Sequence, residues 1–322
     1  MRPGRRALFA GLFLPGIAHG DAWPARPIRL VIPWPPGGGN DIVGRIFADQ
    51  LARRLGQPVV VENRGGSNGV LGAELVAQAR PDGYTLMFHS VSSHVVNAAL
   101  YRRLPYDTFR DFVPAAIPGY SAMAIEVTPK RGVADFATLI TRIRAEPGQW
   151  SYASFGNGSA AHLAGEMLKQ RLGLQMEHIP YRGGAAALTD TISGVVPLNI
   201  GGINTTAAAL RGGLVLALAV TGRGRSAMLP EVPSVAEVTG LAEFDVGVTY
   251  GLWAPAGTPA AILDRLAAVS AAIMIDPVAL APLLDNGVEP LPPMDGAQRL
   301  ARVQQEAALL GQVVREARVS IE

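Results

Sequence analysis

Cysteine is absent from the 322 residues, which excludes disulfide staples, thiolate metal sites and a lipidated N-terminal cysteine. Lysine is nearly absent: Lys130 and Lys169 stand alone, so almost all the basic charge is arginine. Aromatic residues make up 6% of the chain, and no run of basic residues is interleaved with them, as a nucleic-acid surface requires. No apolar stretch reaches the roughly 20 residues of a membrane-spanning helix. Charged residues are also sparse, at 17% against 49% hydrophobic, a balance that favours a well-buried globular protein over a disordered one.

What is present begins with an export pattern. Arg2, Arg5 and Arg6 precede an uncharged, mostly apolar run from Ala7 to Ala18, followed by small residues near Gly20 and Ala22. This reads as a secretory signal peptide over residues 1–22, cleaved near Gly20 to Ala22. Of the 28 basic and 26 acidic residues, a cut after Ala22 removes Arg2, Arg5, Arg6 and Asp21, so the two signs become equal. The sequence pI near 9.1 therefore carries no message about nucleic acid.

After the signal, apolar β-rich runs alternate with helix-period segments. Ile28–Pro33, Val59–Glu62 and Thr85–Phe88 read as strands, with helices over about 41–55 and 72–79. In the first helix Val43, Phe47, Leu51 and Leu55 share one face, while Arg45, Asp49, Arg53 and Arg54 lie off it. The texture changes near 111–129, and the alternation then restarts. Strands are expected over 151–153, 177–180, 197–200 and 214–220, with helices starting near Ser159, Ala185 and Thr205. Strand and helix alternation implies parallel sheets with helices on their faces, and the length suits two such units. Two similar segments, 124–140 and 251–266, each run strand, Pro-containing turn, helix. They are read as the places where the chain changes lobe, giving lobe 1 as 23–123 plus 250–322 and lobe 2 as 124–249. Amphipathic helices are expected over 277–286, stopped by Gly287, and over 298–318.

The polar and glycine-rich loops follow the carboxyl ends of strands, where open α/β sheets bind ligands. Pro33 to Asp41 leaves the first strand and opens the first helix. Gly37, Gly38 and Gly39 let backbone amides approach a ligand, and the helix N-terminus adds unpaired donors and partial positive charge. A plain turn capped by Asn40 or Asp41 is the alternative. Neither G-x-G-x-x-G nor a phosphate-loop Gly-Lys-Ser/Thr is matched, so no nucleotide cofactor is expected. Ser154 to Ser159 repeats the arrangement, with Gly158 in the turn, Ser159 as a candidate N-cap and His162 in the first helical turn. A third loop carries Tyr181, Arg182 and Gly183, Arg182 being a candidate carboxylate partner. Further strand-end loops are expected to hold His89, Ser90, Ser92 and Ser93, and Gly201, Gly202, Asn204 and Thr205.

Several long motifs carry a family resemblance: WPARPIRLVIPWPPGGGNDIVGRIFADQLARRLGQPVVVENRGGSNGVLGAELVAQARPDGYTL, YASFGNGSAAHLAGE, HIPYRGGAAAL, ALAVTGRGRSAMLPEVPSVAEV and GLWAPAGTP. In this order, from Trp23 to roughly Glu289, the chain resembles the substrate-binding proteins of tripartite tricarboxylate transporters, the Bug receptors. The resemblance implies an α/β, type II periplasmic binding-protein fold, two lobes closing like a Venus flytrap on a cleft. It also implies a small carboxylate ligand (a di- or tricarboxylate, an aromatic acid or an acidic amino acid), a two-component membrane permease as partner, no cofactor, and a monomer. Its carboxylate-binding positions correspond to Gly37, Gly38, Gly39, Asn40 and Asp41 and to Ser154, Gly158, Ser159 and His162, while Tyr181, Arg182 and Gly183 match the family's Pro-Tyr-basic-Gly stretch. Asp190 matches an aspartate common in the helix that follows. The chain departs from the pattern at Pro197, which stands where the family often has aspartate, at Gly184 to Ala186, and at Phe88 to His94.

Two other functions compete. A secreted hydrolase would use Ser159 with His162, i and i+3 on one helix, but G-x-S-x-G is not matched and no third group is evident. A sensor or interaction protein without a permease would share the receptor's sequence. The histidines past the signal show no i, i+4 or H-x-E spacing, so no metal site is expected.

Overall fold

The computed structural model describes residues 23–317 and Val319; the expected signal peptide and residue 318 of the last expected helix lie outside the described residues. The chain opens with β1 (Ile28–Ile32), α1 (Gly39–Leu55), β2 (Val59–Asn63), α2 (Val70–Ala77), β3 (Thr85–Ser90) and α3 (Val91–Leu100). The strands β2, β1 and β3 are adjacent and parallel. Leu30, Val31 and Ile32 are fully buried, the continuous apolar run expected of a strand covered on both faces. Val43, Phe47, Leu51 and Leu55 of α1 are buried as their spacing requires.

Next comes a 16-residue strand, β4 (Phe112–Val127), of which the sequence reading expected only the end from Ala124 as strand and otherwise showed a change of texture. Pro114, Pro118 and Gly119 disguise it, because proline removes a ladder donor and glycine weakens strand propensity. The pairing register slips between Pro114 and Ala116 and again between Ala116 and Gly119, so these residues are accommodated as bulges.

The second unit contains α4 (Phe136–Ala145), β5 (Ser151–Ser154), α5 (Ala160–Leu172), β6 (Glu177–Pro180), α6 (Gly184–Ser193), β7 (Leu198–Gly202), α7 (Ile203–Arg211), β8 (Leu216–Val220) and α8 (Val235–Thr239). Here β6, β5 and β7 are parallel neighbours. The chain then returns through β9 (Gly247–Pro255), α9 (Ala260–Ile275), α10 (Pro277–Leu284), β10 (Glu289–Pro290) and α11 (Gly296–Ala317).

The long strand β4 joins the two units. Phe112 to Ala122 pair antiparallel with β9, which also pairs with β3. Met123 to Val127 pair with β7 on one side, and Ala124 to Val127 with β8 on the other. One strand thus belongs to both sheets, and α11 packs against α3 of the first unit and α5 of the second.

Two local expectations change. Strand β3 continues to Ser90 and runs straight into α3, so His89 to Ser93 form no loop: Ser90 caps the helix by accepting from Ser93 N–H at 3.3 Å. The strand expected from Pro197 starts at Leu198 and extends to Gly202, so that α7 begins at Ile203 instead of Thr205. Pro197 itself has its carbonyl engaged by Thr128 N–H at 3.2 Å.

Candidate binding cleft

Between the two units lies a recess of about 790 Å³, lined on one side by Trp34 to Pro36, Asn63 and Gly65 to Gly69, and on the other by Phe155 to Asn157 and Pro180 to Gly183. It adjoins a narrower inner pocket, with Trp34, Pro35, Phe155 and Gly183 lining both. Three helix N-termini reach the inner pocket: α1 through Gly38, Gly39 and Asn40, α6 through Gly183 and Gly184, and α7 through Gly202, Asn204 and Thr205. The first amides of a helix have no carbonyl one turn back, and each terminus carries about half a positive charge. Asn40 is only 9% exposed. Its Oδ1 is an acceptor, without a hydrogen-bond partner among the described residues, so what suits the pocket to an anion is the helix N-termini and not this oxygen.

The Gly37 to Asp41 turn is held from behind. Gly37 has φ +77, a left-handed conformation suited to glycine, and its N–H donates to Asp41 Oδ2 at 2.9 Å. Asp41 Oδ1 accepts from Arg45 Nε at 2.9 Å and from Asn63 Nδ2 at 2.8 Å. Burial opposes ionisation of this carboxyl, but the hydrogen bonds from Arg45, Asn63 and Gly37 outweigh it and hold the group below its ordinary value. Asp41 therefore shapes the turn, and its negative charge is already neutralised.

Contacts across the cleft are already formed. Asn204 Nδ2 donates to Gly39 O at 3.2 Å, and Asn68 Nδ2 donates to Gly158 O at 3.2 Å. Gly39 is required by the approach: a Cβ there would lie 2.8 Å from Asn204 Nδ2. Ser67 and Asn68 adopt left-handed backbone at φ 50 and φ 52, uncommon for residues with a side chain and frequent at ligand-holding loops.

The glycine turn before α5 is arranged differently from that before α1. Its donors are spent internally: Gly156 N–H on Ser154 Oγ at 3.2 Å, Gly158 N–H on His162 Nδ1 at 3.0 Å, and His162 N–H on Ser159 Oγ at 3.3 Å. Ser154 and Ser159 are fully buried. The Ser154 hydroxyl lies 2.7 Å from His178 Nε2, and the His178 ring stacks on His162 with centroids 3.7 Å apart at 8°. Burial lowers His162 to about 4, and burial with the neighbouring His162 lowers His178 to about 3. Both rings are neutral near pH 7 and serve as a packed support for the turn. Ser159 and His162 do not form a nucleophile and base pair, since the imidazole Nδ1 is taken by the Gly158 amide.

Of the other residues expected at the site, Tyr181, Arg182 and Gly183 line the outer recess. The Tyr181 hydroxyl donates to Asp190 Oδ2 at 2.7 Å, so Asp190 orients the tyrosine without lining the recess. Ser92 donates to Gly247 O at 2.9 Å, tying α3 to β9; it and Ser90 lie outside both cavities. Asn204 and Thr205 line the inner pocket. Sequence reading missed Trp34, Phe155, Ser67, Asn68, Ser121 and Tyr250 as lining residues. Trp34 donates from Nε1 to His89 Nδ1 at 3.1 Å and meets Phe155 edge-on, with centroids 6.1 Å apart at 80°. Ser121 and Tyr250 come from β4 and β9, where no local pattern distinguishes a lining residue from a core one. Among the described residues no group of three or more histidines and carboxylates is placed to hold a metal ion.

Two α/β lobes joined by long antiparallel strands, with helix N-termini facing each other across the cleft, define a periplasmic binding protein of the solute-capturing type. A family model described as "Tripartite tricarboxylate transporter family receptor" matches residues 43–319, and the chain belongs to that family. It is 37% identical to Protein BugT of Bordetella pertussis over 258 residues, 80% of this chain and 78% of that protein. Among solved structures it is similar to Rpa4515 of R. palustris with adipate, at TM-score 0.88 and 30% identity over 93% of this chain and 99% of that one. MatC of Rhodopseudomonas palustris with bound malate aligns at TM-score 0.82 and 29% identity, covering 91% of this chain and 100% of that one.

Proposed function

We propose that the protein is exported to the periplasm, with cleavage of its signal near Gly20 to Ala22, and there captures a small organic carboxylate between its lobes for uptake by a tripartite tricarboxylate permease. The observation that carries this is the convergence of α1, α6 and α7, each by its N-terminus, on one pocket. Donors supplied by backbone amides fix a carboxylate by geometry without transferring a proton to it, which fits capture and release without chemical change. Adipate and malate in two similar structures support a carboxylate ligand.

The lobes are taken as 23–123 plus 250–322 and 124–249. Support comes from β4 changing sheets between Ala122 and Met123 and from β9 joining the first sheet at Gly247. The protein acts as a monomer, closing by a hinge in these strands. The test is a thermal-shift screen of the purified protein across dicarboxylates, aromatic acids and amino acids. A true ligand at 100-fold excess over its dissociation constant adds about 3 kcal/mol of stability. Stabilisation by no carboxylate would refute the assignment.

A further inference from the structure

No step of carboxylate capture uses His89, a fully buried histidine next to the end of β3. Its Nδ1 accepts from Trp34 Nε1–H at 3.1 Å, its carbonyl accepts from Trp253 Nε1–H at 3.2 Å, and its Nε2 has no partner among the described residues. An imidazole nitrogen accepts a hydrogen bond only when it carries no proton, so the ring is neutral with its proton on Nε2. Burial, with His94 alongside, holds the pKa well below the ordinary histidine value and keeps the ring in that form. The Nε2 edge stands against a cleft loop: a Cβ on Gly69 would lie 2.7 Å from Nε2, and Gly69 lines the outer recess together with Trp34. One imidazole thus backs two separate pieces of the same wall.

Trp34 is the piece whose orientation depends on it. The indole borders both the inner pocket and the outer recess, and it meets Phe155 of the facing wall edge-on, with centroids 6.1 Å apart at 80°. An indole has a single polar group, the Nε1–H, and a buried indole needs an acceptor for it. Without an acceptor behind the wall, that donor gains by turning toward the cleft, and the ring leaves its seat on Phe155. With His89 Nδ1 in place the donor is spent inside the first unit, and what remains of the ring for the cleft is carbon.

Resting on the carboxylate-receptor reading above, we infer that His89 is a positioning residue: by accepting at Nδ1 it fixes the Trp34 indole in the cleft wall and so sets the apolar contact with Phe155 on which the two walls close. His89 lines neither cavity and acts only through Trp34.

The test compares His89→Asn, whose Oδ1 occupies nearly the place of Nδ1, with His89→Leu, which fills the space without an acceptor. Hydrogen exchange of the indole N–H groups is followed by NMR in the purified full chain, the Trp34 signal being the one missing from Trp34→Phe. Trp34 Nε1–H should be protected in the wild type and in His89→Asn, and should exchange at least about tenfold faster in His89→Leu, as a buried donor without an acceptor does. Adipate, used as the probe in calorimetry, should bind His89→Leu about 10- to 100-fold more weakly than the wild type and His89→Asn about as tightly as the wild type. In the Trp34→Phe background, which has no donor to hold, His89→Leu should cost no further affinity. A fold merely loosened by the substitution would lose affinity in that background as well. Equal protection of Trp34 in His89→Leu, or an undiminished loss of affinity in the Trp34→Phe background, overturns the positioning role while leaving the receptor standing. If the wild type binds neither adipate nor any acid of the screen, the receptor reading falls, and the exchange measurement alone decides whether His89 holds Trp34.

Discussion

Glu126 lies in the part of β4 that belongs to the second sheet, fully buried, with Asn199 Nδ2 donating to its Oε2 at 2.8 Å and its Oε1 without a partner among the described residues. Burial raises its pKa from 4.5 to about 7, against the smaller opposing effect of hydrogen bonds from Thr206 and Asn199. The folded state thus holds this proton more tightly than the unfolded chain. The resulting stability is complete below the unfolded value, is lost as pH rises from there through the folded value, and changes no further above it. A difference of two to three pKa units corresponds to about 3 kcal/mol. Glu126→Gln keeps the acceptor for Asn199 and abolishes the titration. Urea unfolding of the two proteins at pH 4.5 and pH 8.5 should give a stability difference that moves in favour of the variant by about 3 kcal/mol between the two conditions. The comparison between proteins cancels every other titrating group. A difference that stays constant with pH would show that Glu126 ionises normally and that the buried-strand account is wrong.

Two further outcomes follow from the cleft and its support. Gly39→Ala places a Cβ 2.8 Å from Asn204 Nδ2, so closing the lobes must displace Asn204 and break its bond to Gly39 O. Ligand affinity measured by calorimetry should fall about 30-fold, roughly 2 kcal/mol of lost hydrogen bond and strain, and because the Asn204–Gly39 bond is already formed across the cleft, the melting temperature should fall as well. On acidification His89, His94, His162 and His178, all lowered chiefly by burial, stay neutral in the folded state while the unfolded chain takes up protons. Their contribution is complete above the unfolded value of about 6.5 and is lost as pH falls from there toward the folded values, at up to ~1.4 kcal/mol per pH unit for each histidine. Replacing the stacked pair as His162→Gln with His178→Gln should flatten the acid side of the stability profile, read by thermal unfolding between pH 4.5 and 7.

The sequence by itself determined what depends on neighbours a few residues apart. Period-2 and period-3.6 patterns placed β1, α1, β5 and α5 to within a few residues, and the strand-to-glycine-to-helix order at Pro33 to Asp41 and at Tyr181 to Ala185 marked two of the helix N-termini that border the inner pocket. Charge arithmetic and the missing cysteines removed nucleic-acid and disulfide-dependent classes. Tertiary structure decided whatever depends on residues far apart in the chain. The strand over 112–127 is assembled by pairing with β9, β7 and β8 despite its prolines, because ladder bonds from distant strands outweigh local propensity. Ser154 to His162 and Gly37 to Asp41 look alike as sequences, yet the first turn spends its amides on its own serine and histidine while the second faces the pocket. That difference comes from His178 and Asn63, 24 and 22 residues away from Ser154 and Asp41. Ser90 and Ser92 line neither cavity for the same reason: β3 runs on into α3 and pairs with β9. The partners of Asp41 and Asp190 were likewise invisible beforehand, since they are set by where Arg45, Asn63 and Tyr181 fold against them.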